Sequence, residues 1–363
     1  MANKQNCYCV VLSADSAYLP FAAVLITSIL RQAAGSDSAP RLPFVFHILT
    51  DSVSAALLAQ GSGSAESQHF AAFCEAVEQI YPCVVVLHAM HEEEFAHLPF
   101  FADHTNHLSS YRLRLSSVIP KGIERVLYLD SDMLACADVR ELFALELGEN
   151  IAAAASDCMI ARKIFVAKHG KKSAQISLQG HVYINSGVLL LDYPRYIEEN
   201  IEEQCFAILR DYKTRCHDQD ALNITLKGKI LYLPFAWNCT LHLPYYNDNK
   251  DKVQITRAEY ESAKQAPNII HYSQFKPWKS RFFYADDTGQ PIVAPKRELW
   301  WESAAQTPVY GAILQQSNGF DVEALDRLNA LAYALDIMQR RIDRLRAPSR
   351  ALSQLWKKLR FWK

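Results

Sequence analysis

Short apolar runs alternate with segments of helical composition through residues 1–160 of the chain. The runs are rich in β-branched and aromatic residues, which favours strands. The predicted strands cover residues 8–12, 44–49, 84–87, 126–129 and 151–155, and the predicted helices cover 19–32, 53–60, 66–80 and 109–118. Strands that alternate with helices indicate an α/β fold with a mostly parallel sheet, whose ligands bind beyond the carboxyl ends of the strands.

The pattern continues less regularly after residue 181. Further strands are predicted at 182–191, 230–234 and 268–272, with a helix at 196–212 and another that begins at Asp218. We expect an irregular covering segment at 276–318, because residues 277–310 are rich in Trp, Pro and Lys. The chain is thus divided into a domain at 1–275, the covering segment, a C-terminal amphipathic helix at 319–347 and a tail at 348–363.

Apolar residues recur at alternating spacings of three and four within residues 322–346. Such spacing predicts a helix with a single apolar seam of heptad type. The seam consists of Leu328, Leu331, Leu335, Met338, Ile342 and Leu345. Two interpretations stay open, a helix that packs on its own domain and a helix that self-associates and makes a homo-oligomer.

The tail at 348–363 combines basic and large apolar side chains. From Arg340 to Lys363 there are nine Lys or Arg residues and one acidic residue, and the tail contains two Trp and one Phe. A basic aromatic segment suits an anionic membrane surface, and the alternative is a solvated tail. The apolar run at 19–30 is too short to span a bilayer, so we expect a peripheral protein on the cytoplasmic face of the membrane.

Composition excludes some classes of function. The formal net charge is −1, which argues against nucleic-acid binding by the whole chain. The nine cysteines are scattered and contain no CxxC pair, so a cysteine zinc site is not expected. We interpret them as reduced, mostly buried thiols, as in a cytoplasmic protein.

The stretch ERVLYLDSDMLACADVRELF at 124–143 carries the first chemical signal. A predicted strand ends in Asp130 and Asp132, and residues two apart in an extended segment point the same way. Two hard oxygen ligands suit Mg²⁺ or Mn²⁺, which phosphate oxygens of a substrate usually complete. The alternatives are solvated carboxylates or helix caps before Val139, and a haloacid-dehalogenase-type phosphatase, although Leu134 does not fit that motif.

Five further motifs follow one another along the chain. They are VLSADSAY at 11–18, SSYRL at 109–113, YINSGVLLLD at 183–192, HDQDALN at 217–223 and IIHYSQFKPW at 269–278. Together with YLDSD, this succession resembles glycosyltransferase family 8, and within it the bacterial lipopolysaccharide galactosyl- and glucosyltransferases. The resemblance covers residues 7–310 and implies a GT-A-type fold and a retaining, UDP-sugar-dependent enzyme.

The resemblance also implies a donor site. Ser13, Asp15 and Tyr18 would hold the uracil and the ribose. Arg112, Asp157, Asn185, Asp218 and Gln219 would surround the donor sugar. Simpler roles stay open for several of these residues: Asp15 as a helix cap, Arg112 as the partner of an acid, Asn185 as a structural amide. Asn223 is also a candidate for a structural role, and so is either Asp218 or Asp220, because both acids lie at the start of a predicted helix. Of these two acids, we favour Asp218 for the chemistry.

A divalent metal would lie between Asp130, Asp132 and His271 and would bridge the UDP phosphates. One imidazole beside two carboxylates favours Mn²⁺ over Mg²⁺. Lys276 would reach the pyrophosphate and stabilise the departing UDP. Related sequences carry a glycine soon after the histidine and a segment one residue longer, whereas HYSQFK has Gln274, so the grip on the pyrophosphate is altered here. His271 as a buried core histidine is the simpler alternative.

The chemistry expected of this site divides among three residues. Asp157 and Asp218 would stabilise an oxocarbenium-like sugar. Gln219 is a neutral amide and a poor nucleophile, so we expect it to stabilise charge or to position the acceptor, with front-side attack as the route to retention. The leading hypothesis is a hexosyltransferase that moves glucose or galactose from the UDP-sugar to a saccharide or glycolipid acceptor, such as lipopolysaccharide core. The alternative is a catalytically idle scaffold of the same fold.

Overall fold

A computed structural model of the chain describes residues 6–59, 61, 63–96, 98, 107–158, 164–168, 175–241, 254–273, 275–279, 282–285, 291–317 and 338. The seam at 322–346, apart from Met338, and the tail at 348–363 lie outside these residues. The chain divides into two compact units, the first formed by 1–274 with 302–314 and the second by 275–301 with 315–363. In the part of the chain that is described, no helix has the length and apolar character needed to cross a membrane.

A seven-stranded sheet forms the centre of the first unit. Its strands, in spatial order, are β10 (Ile230–Leu233), β6 (Ala152–Ala155), β9 (Val188–Asp192), β4 (Arg125–Leu129), β1 (Tyr8–Ser13), β2 (Phe44–Thr50) and β3 (Cys83–Ala89). All neighbouring pairs are parallel except those of β9, which runs antiparallel to both β4 and β6. The prediction of an α/β fold with a mostly parallel sheet is therefore confirmed.

Both faces of the sheet are covered, which explains why its central strands are apolar throughout rather than alternating. One buried cluster packs around α1, with Leu12, Ile26 and Leu129 in its interior, and another contains Val11, Tyr128 and Leu222 on the opposite face. The helices of the first unit are α1 (Leu19–Ala34), α2 (Ser52–Leu58), α3 (Ala65–Glu78), α4 (Arg140–Phe143), α5 (Tyr193–Glu198), α6 (Ile201–Asp211), α7 (His217–Thr225), α8 (Arg257–Gln265) and α10 (Tyr310–Ser317), which ends past the unit boundary at Leu314.

A second, three-stranded sheet lies beside the end of β4 in the first unit. It contains β5 (Met133–Ala135), β12 (Ile269–His271) and β11 (Cys239–Thr240). Strand β12 is antiparallel to β5 and pairs His271 with Met133. This register brings a residue from late in the chain next to the segment that directly follows β4.

Four sequence predictions differ from the structure in detail. Residues predicted as one helix at 109–118 form two short 3₁₀ helices, Leu108–Leu113 and Leu115–Ser117. The helix predicted at 196–212 is divided by Asn200, whose φ of 52° lies in the left-handed region. The strand predicted at 182–191 begins only at Val188. The fourth difference concerns the covering segment.

The segment expected to be irregular at 276–318 contains regular structure. It has a hairpin of β13 (Phe282–Ala285) and β14 (Pro291–Val293), and two helices, α9 (Arg297–Ala305) and α10. Within the second unit, the rings of Trp278 and Trp300 lie 4.9 Å apart, and Trp301 Nε1 donates to the Pro277 carbonyl at 3.0 Å. Aromatic packing can thus order a segment whose Pro and Trp content gives no periodic signal.

The remaining short strands form a small hairpin, β7 (Ile164–Val166) with β8 (Gln175–Ser177). All nine cysteines are free, and each is buried or half-buried. Burial raises the pKa of the Cys74 thiol to about 11 and that of Cys83 to about 12, so these thiols stay protonated at neutral pH.

Candidate active site

Three potential metal ligands converge at the carboxyl end of β4. Asp130 and Asp132 directly follow the strand, and the antiparallel pairing of β12 with β5 brings in His271. One ligand atom from each of the three residues lies within 4.8 Å of the other two. His271 Nε2 is 3.2 Å from Asp132 Oδ1 and 3.6 Å from Asp130 Oδ2. The spacing of the two aspartates and the pairing of the strands therefore bring together Asp130, Asp132 and His271, which form the metal-ligand cluster.

The residues around this cluster fit a bound divalent cation. Gly187 faces it, and a methyl group there would stand 2.6 Å from His271 Cε1 and 2.7 Å from Asp130 Oδ2. The absence of a side chain at Gly187 thus allows the imidazole and the carboxylates to approach one another. Two carboxylates with one imidazole form a donor set that suits Mn²⁺ or Mg²⁺.

Arg112 joins this cluster to the neighbouring part of the site. Its side chain is buried, with Nη2 donating to Asp130 Oδ1 at 2.7 Å and Nε 2.9 Å from Asp218 Oδ2. Nη1 donates to the Ser186 carbonyl at 2.7 Å, and the guanidinium carbon lies 4.5 Å from the centre of the Tyr128 ring. Burial alone would lower the pKa of Arg112, but its acidic neighbours raise it above the ordinary value, so the charge is permanent.

Asp218 begins the first turn of α7 and faces Arg112. Burial raises the pKa of its carboxyl to about 6, the Arg112 charge opposes this shift, and Asp130 adds to it. A buried carboxyl group whose pKa is raised and which lies beside a second acid is a feature of functional sites. Asp220, two residues on, has a structural role, because its carboxylate accepts from Tyr183 OH and from two backbone N–H groups.

The other predicted sugar-side residues meet at one carboxylate. Asp157 Oδ2 accepts from Asn185 Nδ2 and from Gln219 Nε2, each at 3.2 Å. Gln219 Oε1 in turn accepts the Ser186 backbone N–H at 3.0 Å. The structure therefore connects the five predicted residues into one hydrogen-bonded group, here called the sugar-side group: Arg112, Asp157, Asn185, Asp218 and Gln219. Asn223 is structural, because its amide bonds both backbone groups of Ile184.

The residues predicted to hold the nucleoside follow β1, the strand beside β4. Ser13 ends β1, and its hydroxyl accepts from Tyr128 OH at 3.4 Å. Asp15 Oδ1 accepts the Tyr18 backbone N–H at 2.7 Å, so Asp15 helps to fix the start of α1 as well. Burial, followed by the nearby carboxylates of Asp132 and Asp15, raises the pKa of the Tyr18 phenol. The structure thus places Tyr18 near the metal-ligand cluster.

Lys276 lies in the second compact unit, and its role towards the pyrophosphate stays a prediction. No sequence motif singles out Asn238, although it is fully buried and its Oδ1 lies 2.9 Å from His271 Nδ1. The available signal was a polar residue inside the apolar run Phe235–Cys239, which by itself does not identify a partner.

Comparison with known proteins identifies the family. A family model described as Glycosyl transferase family 8 matches residues 9–281. The chain belongs to glycosyl transferase family 8. The resemblance inferred from the motifs is therefore confirmed, and so is the GT-A-type fold, which the solved relatives described below share.

Similar curated proteins include lipopolysaccharide glycosyltransferases. A putative glycosyltransferase of Haemophilus influenzae is 26% identical over 64% of this chain and 63% of its own length. A lipopolysaccharide 1,3-galactosyltransferase of Salmonella typhimurium is 26% identical over 73% and 72%, respectively. A lipopolysaccharide 1,2-glucosyltransferase of Escherichia coli K12 is 29% identical over 48% and 50%. The chain thus spans less than two thirds of the length of some relatives that it matches.

Solved structures show the same fold in other glycosyltransferases. The apo structure of the bifunctional glycosyltransferase WbbM superimposes with a TM-score of 0.60 at 20% identity, over 87% of this chain and 52% of WbbM. An active-site mutant of LgtC gives a TM-score of 0.54 at 23% identity, over 82% of this chain and 95% of LgtC. LgtC has also been solved with donor and acceptor sugar analogues, with a TM-score of 0.51.

Proposed function

We propose that this family 8 chain is a retaining hexosyltransferase that moves glucose or galactose from a UDP-sugar to a saccharide acceptor. One observation carries the proposal: Asp130, Asp132 and His271 converge at the end of a parallel strand, directly beside the buried group around Arg112 and Asp218. The acceptor we propose is a lipopolysaccharide core or a similar glycolipid, by similarity to the Salmonella and Escherichia relatives.

A divalent cation held by Asp130, Asp132 and His271 would supply positive charge for the UDP phosphates, and we propose Mn²⁺ with Mg²⁺ as the substitute. Arg112 Nη2 bonds the Asp130 carboxylate at 2.7 Å, so that the carboxylate is oriented before the donor arrives. We assign the nucleoside to Ser13, Asp15 and Tyr18, and the pyrophosphate to Lys276.

Cleavage of the donor leaves the sugar with oxocarbenium character, which negative charge stabilises. Asp157 and Asp218 are the two carboxylates of the sugar-side group, and we assign that role to them. Gln219 is unsuited to covalent attack, because Ser186 N–H occupies its oxygen and Asp157 receives its amide N–H. We assign Gln219 and Asn185 to orientation of the sugar, with front-side attack by the acceptor.

The idle-scaffold alternative finds no support in this geometry. A scaffold does not need two carboxylates, an imidazole and a buried arginine in mutual contact, since burying charged groups costs stability that only function or full pairing offsets. We keep the association of the tail at 348–363 with an anionic membrane as a prediction.

The test is donor turnover by the purified full chain with Mn²⁺, UDP-glucose or UDP-galactose, and lipopolysaccharide core oligosaccharide as acceptor. Asp130→Asn and Asp132→Asn should each lower transfer by about 100-fold or more, since a lost ligand removes several kcal/mol of charge stabilisation. Asp211→Asn is the matched control, because Asp211 pairs with Arg210 on an exposed surface far from the cluster in sequence.

Transfer that persists at the wild-type rate in both cluster variants would refute the metal assignment. Absence of transfer with both donors, together with phosphate release from simple phosphate esters, would favour the phosphatase alternative instead. Binding of a UDP-sugar without turnover would support a scaffold.

A further inference from the structure

We propose that Asn238 is a positioning residue that holds His271 in the Nδ1-protonated form, with its Nε2 lone pair directed at Asp130 and Asp132. The inference rests on the proposed function and deepens it, because it names the residue that prepares His271 to bind a cation. Asn238 contacts His271 and Asn185, and it would act on the cation through His271.

Asn238 lies at the junction of the two halves of the site. It is the last residue of the 3₁₀ helix Phe235–Asn238, directly before β11, and none of its surface is exposed. Its Oδ1 is 2.9 Å from His271 Nδ1, and its Nδ2 is 2.8 Å from Asn185 Oδ1. Asn238 therefore connects the metal-ligand cluster to the sugar-side group through a single amide.

The orientation of both amides follows from one backbone group. The Gly187 backbone N–H, which can only donate, lies 3.0 Å from Asn185 Oδ1, so that atom of Asn185 must be the oxygen. An amide oxygen only accepts, so Asn238 presents its NH₂ group to Asn185. The oxygen of Asn238 then faces His271, and His271 Nδ1 must carry a hydrogen in order to bond it.

A neutral imidazole carries one proton, so Nε2 is left with its lone pair. Nε2 lies 3.2 Å from Asp132 Oδ1 and 3.6 Å from Asp130 Oδ2, so its lone pair faces two carboxylate oxygens. A cation bound between these three acceptor atoms would stabilise the arrangement. Without the Asn238 oxygen, the proton can move to Nε2 and donate to Asp132. A hydrogen bond would then occupy the atoms that bind the metal, and it would compete with the metal.

The first test measures the tautomer directly and needs neither metal nor activity. The full chain is labelled with ¹⁵N-histidine, stripped of metal and studied at pH 8, and the His271 resonances are assigned by their loss in His271→Gln. We expect His271 to be protonated at Nδ1 alone in the wild type. Asn238→Leu should show Nε2 protonation or a mixture of tautomers. A wild-type ring protonated at Nε2, alone or with Nδ1, would overturn the proposal.

The second test measures Mn²⁺ binding, by the paramagnetic resonance of free Mn²⁺, without any nucleotide. Asn238→Leu should bind Mn²⁺ about 10- to 100-fold more weakly, the usual cost of a lost partner of a metal-binding histidine. Asn238→Asp should bind Mn²⁺ more tightly than Asn238→Leu, because a carboxylate still accepts from His271 Nδ1, although its second oxygen meets the acceptor Asn185 Oδ1 and lowers stability. That rescue would not follow from a role in packing alone.

A matched control separates this effect from a general loss of stability. Asn223 is also a buried amide, and it bonds Ile184 and the Gln219 carbonyl. Asn223→Leu should lower the melting temperature and leave Mn²⁺ affinity unchanged. Wild-type Mn²⁺ affinity in Asn238→Leu, or equal losses in Asn238→Leu and Asn238→Asp, would overturn the proposal. Absence of Mn²⁺ binding by the wild type would instead refute the metal assignment, and the tautomer measurement would still decide the role of Asn238.

Discussion

Gly187 lies so close to His271 that a methyl group on Gly187 would stand 2.6 Å from His271 Cε1, well inside van der Waals contact. The same methyl group would meet Asp130 Oδ2 and Met133 Cε, each at 2.7 Å. Gly187 follows Asn185 and Ser186, which both bond the sugar-side group through their side chains or backbone. Each of the three residues at 185–187 therefore makes a hydrogen bond or a close approach within the site.

Gly187→Ala should push the imidazole and the carboxylate apart. Overpacking of this kind costs about 1–3 kcal/mol, and we expect that loss in the free energy of unfolding together with weaker Mn²⁺ binding. Urea unfolding and Mn²⁺ titration measure the two effects. Gly35→Ala is the control, because an added Cβ there meets the Arg31 and Gln32 carbonyl oxygens at ordinary contact distances of 3.5 and 3.9 Å. Unchanged Mn²⁺ affinity in Gly187→Ala would show that the cluster tolerates displacement.

Arg112→Met should destabilise the fold strongly. It removes the charge that compensates the buried Asp218 and the half-buried Asp130, and breaking such a pair from one side costs about 3–5 kcal/mol. The double variant Arg112→Met with Asp218→Asn should recover part of this loss in urea unfolding at pH 7.5, because one uncompensated charge is removed. Arg210→Met, from an exposed pair, should leave stability unchanged. A double variant less stable than Arg112→Met would contradict this account.

Loss of the Asp218 carboxylate should lower activity, whereas loss of the Asp220 carboxylate should lower stability. Asp220→Asn presents an NH₂ group to the donors Tyr183 OH, Arg215 N–H or Cys216 N–H, which should cost about 1–3 kcal/mol of stability. Asp218→Asn should abolish transfer while the protein stays folded, since it removes a carboxyl group whose burial already raises its pKa to about 6. Thermal unfolding and donor turnover of both variants make the comparison. Wild-type turnover in Asp218→Asn would remove Asp218 from the chemistry.

The fold class and the two aspartate ligands could be predicted because both follow from local patterns, whereas His271 as the third ligand was implied by the resemblance to family 8. Alternating strands and helices indicate a parallel sheet, and two aspartates after β4 must lie at its carboxyl end. The contacts that orient these residues could not be predicted in the same way. Asn238 and His271 are 33 positions apart, and only the parallel pairing of β11 with β12 brings them together.

Predictions from local patterns also failed where the same residue composition is compatible with more than one backbone conformation. Residues 108–117 have helical composition but form 3₁₀ turns, in which buried Tyr111 and Arg112 follow tertiary contacts instead of a helical period. In the segment 277–310, aromatic packing between Trp278 and Trp300 replaces periodicity as the ordering force. Both failures arise where long-range packing decides the local conformation.

The pair formed by His47 and His88 should make the protein sensitive to acid. His47 Nδ1 lies 2.9 Å from His88 Nε2 across β2 and β3, and burial, followed by the His88 charge, lowers the pKa of His47 to about 4. In the unfolded chain a histidine titrates near 6.5, so between about pH 6.5 and 4 the unfolded state binds a proton that the folded state does not. The contribution of His47 to the free energy of unfolding is present above about pH 6.5 and is lost as the pH falls from about 6.5 to about 4. The loss amounts to roughly 3 kcal/mol in total.

His47→Gln keeps a hydrogen-bonding side chain on β2 and removes this titration. Its free energy of unfolding, measured in urea at pH 7.5 and at pH 5, should therefore fall less on acidification than that of the wild type. His69→Gln on α3 is the control, because His69 is exposed and its loss should leave the pH dependence unchanged. An equal loss of stability on acidification in wild type and His47→Gln would show that other groups control the response to acid.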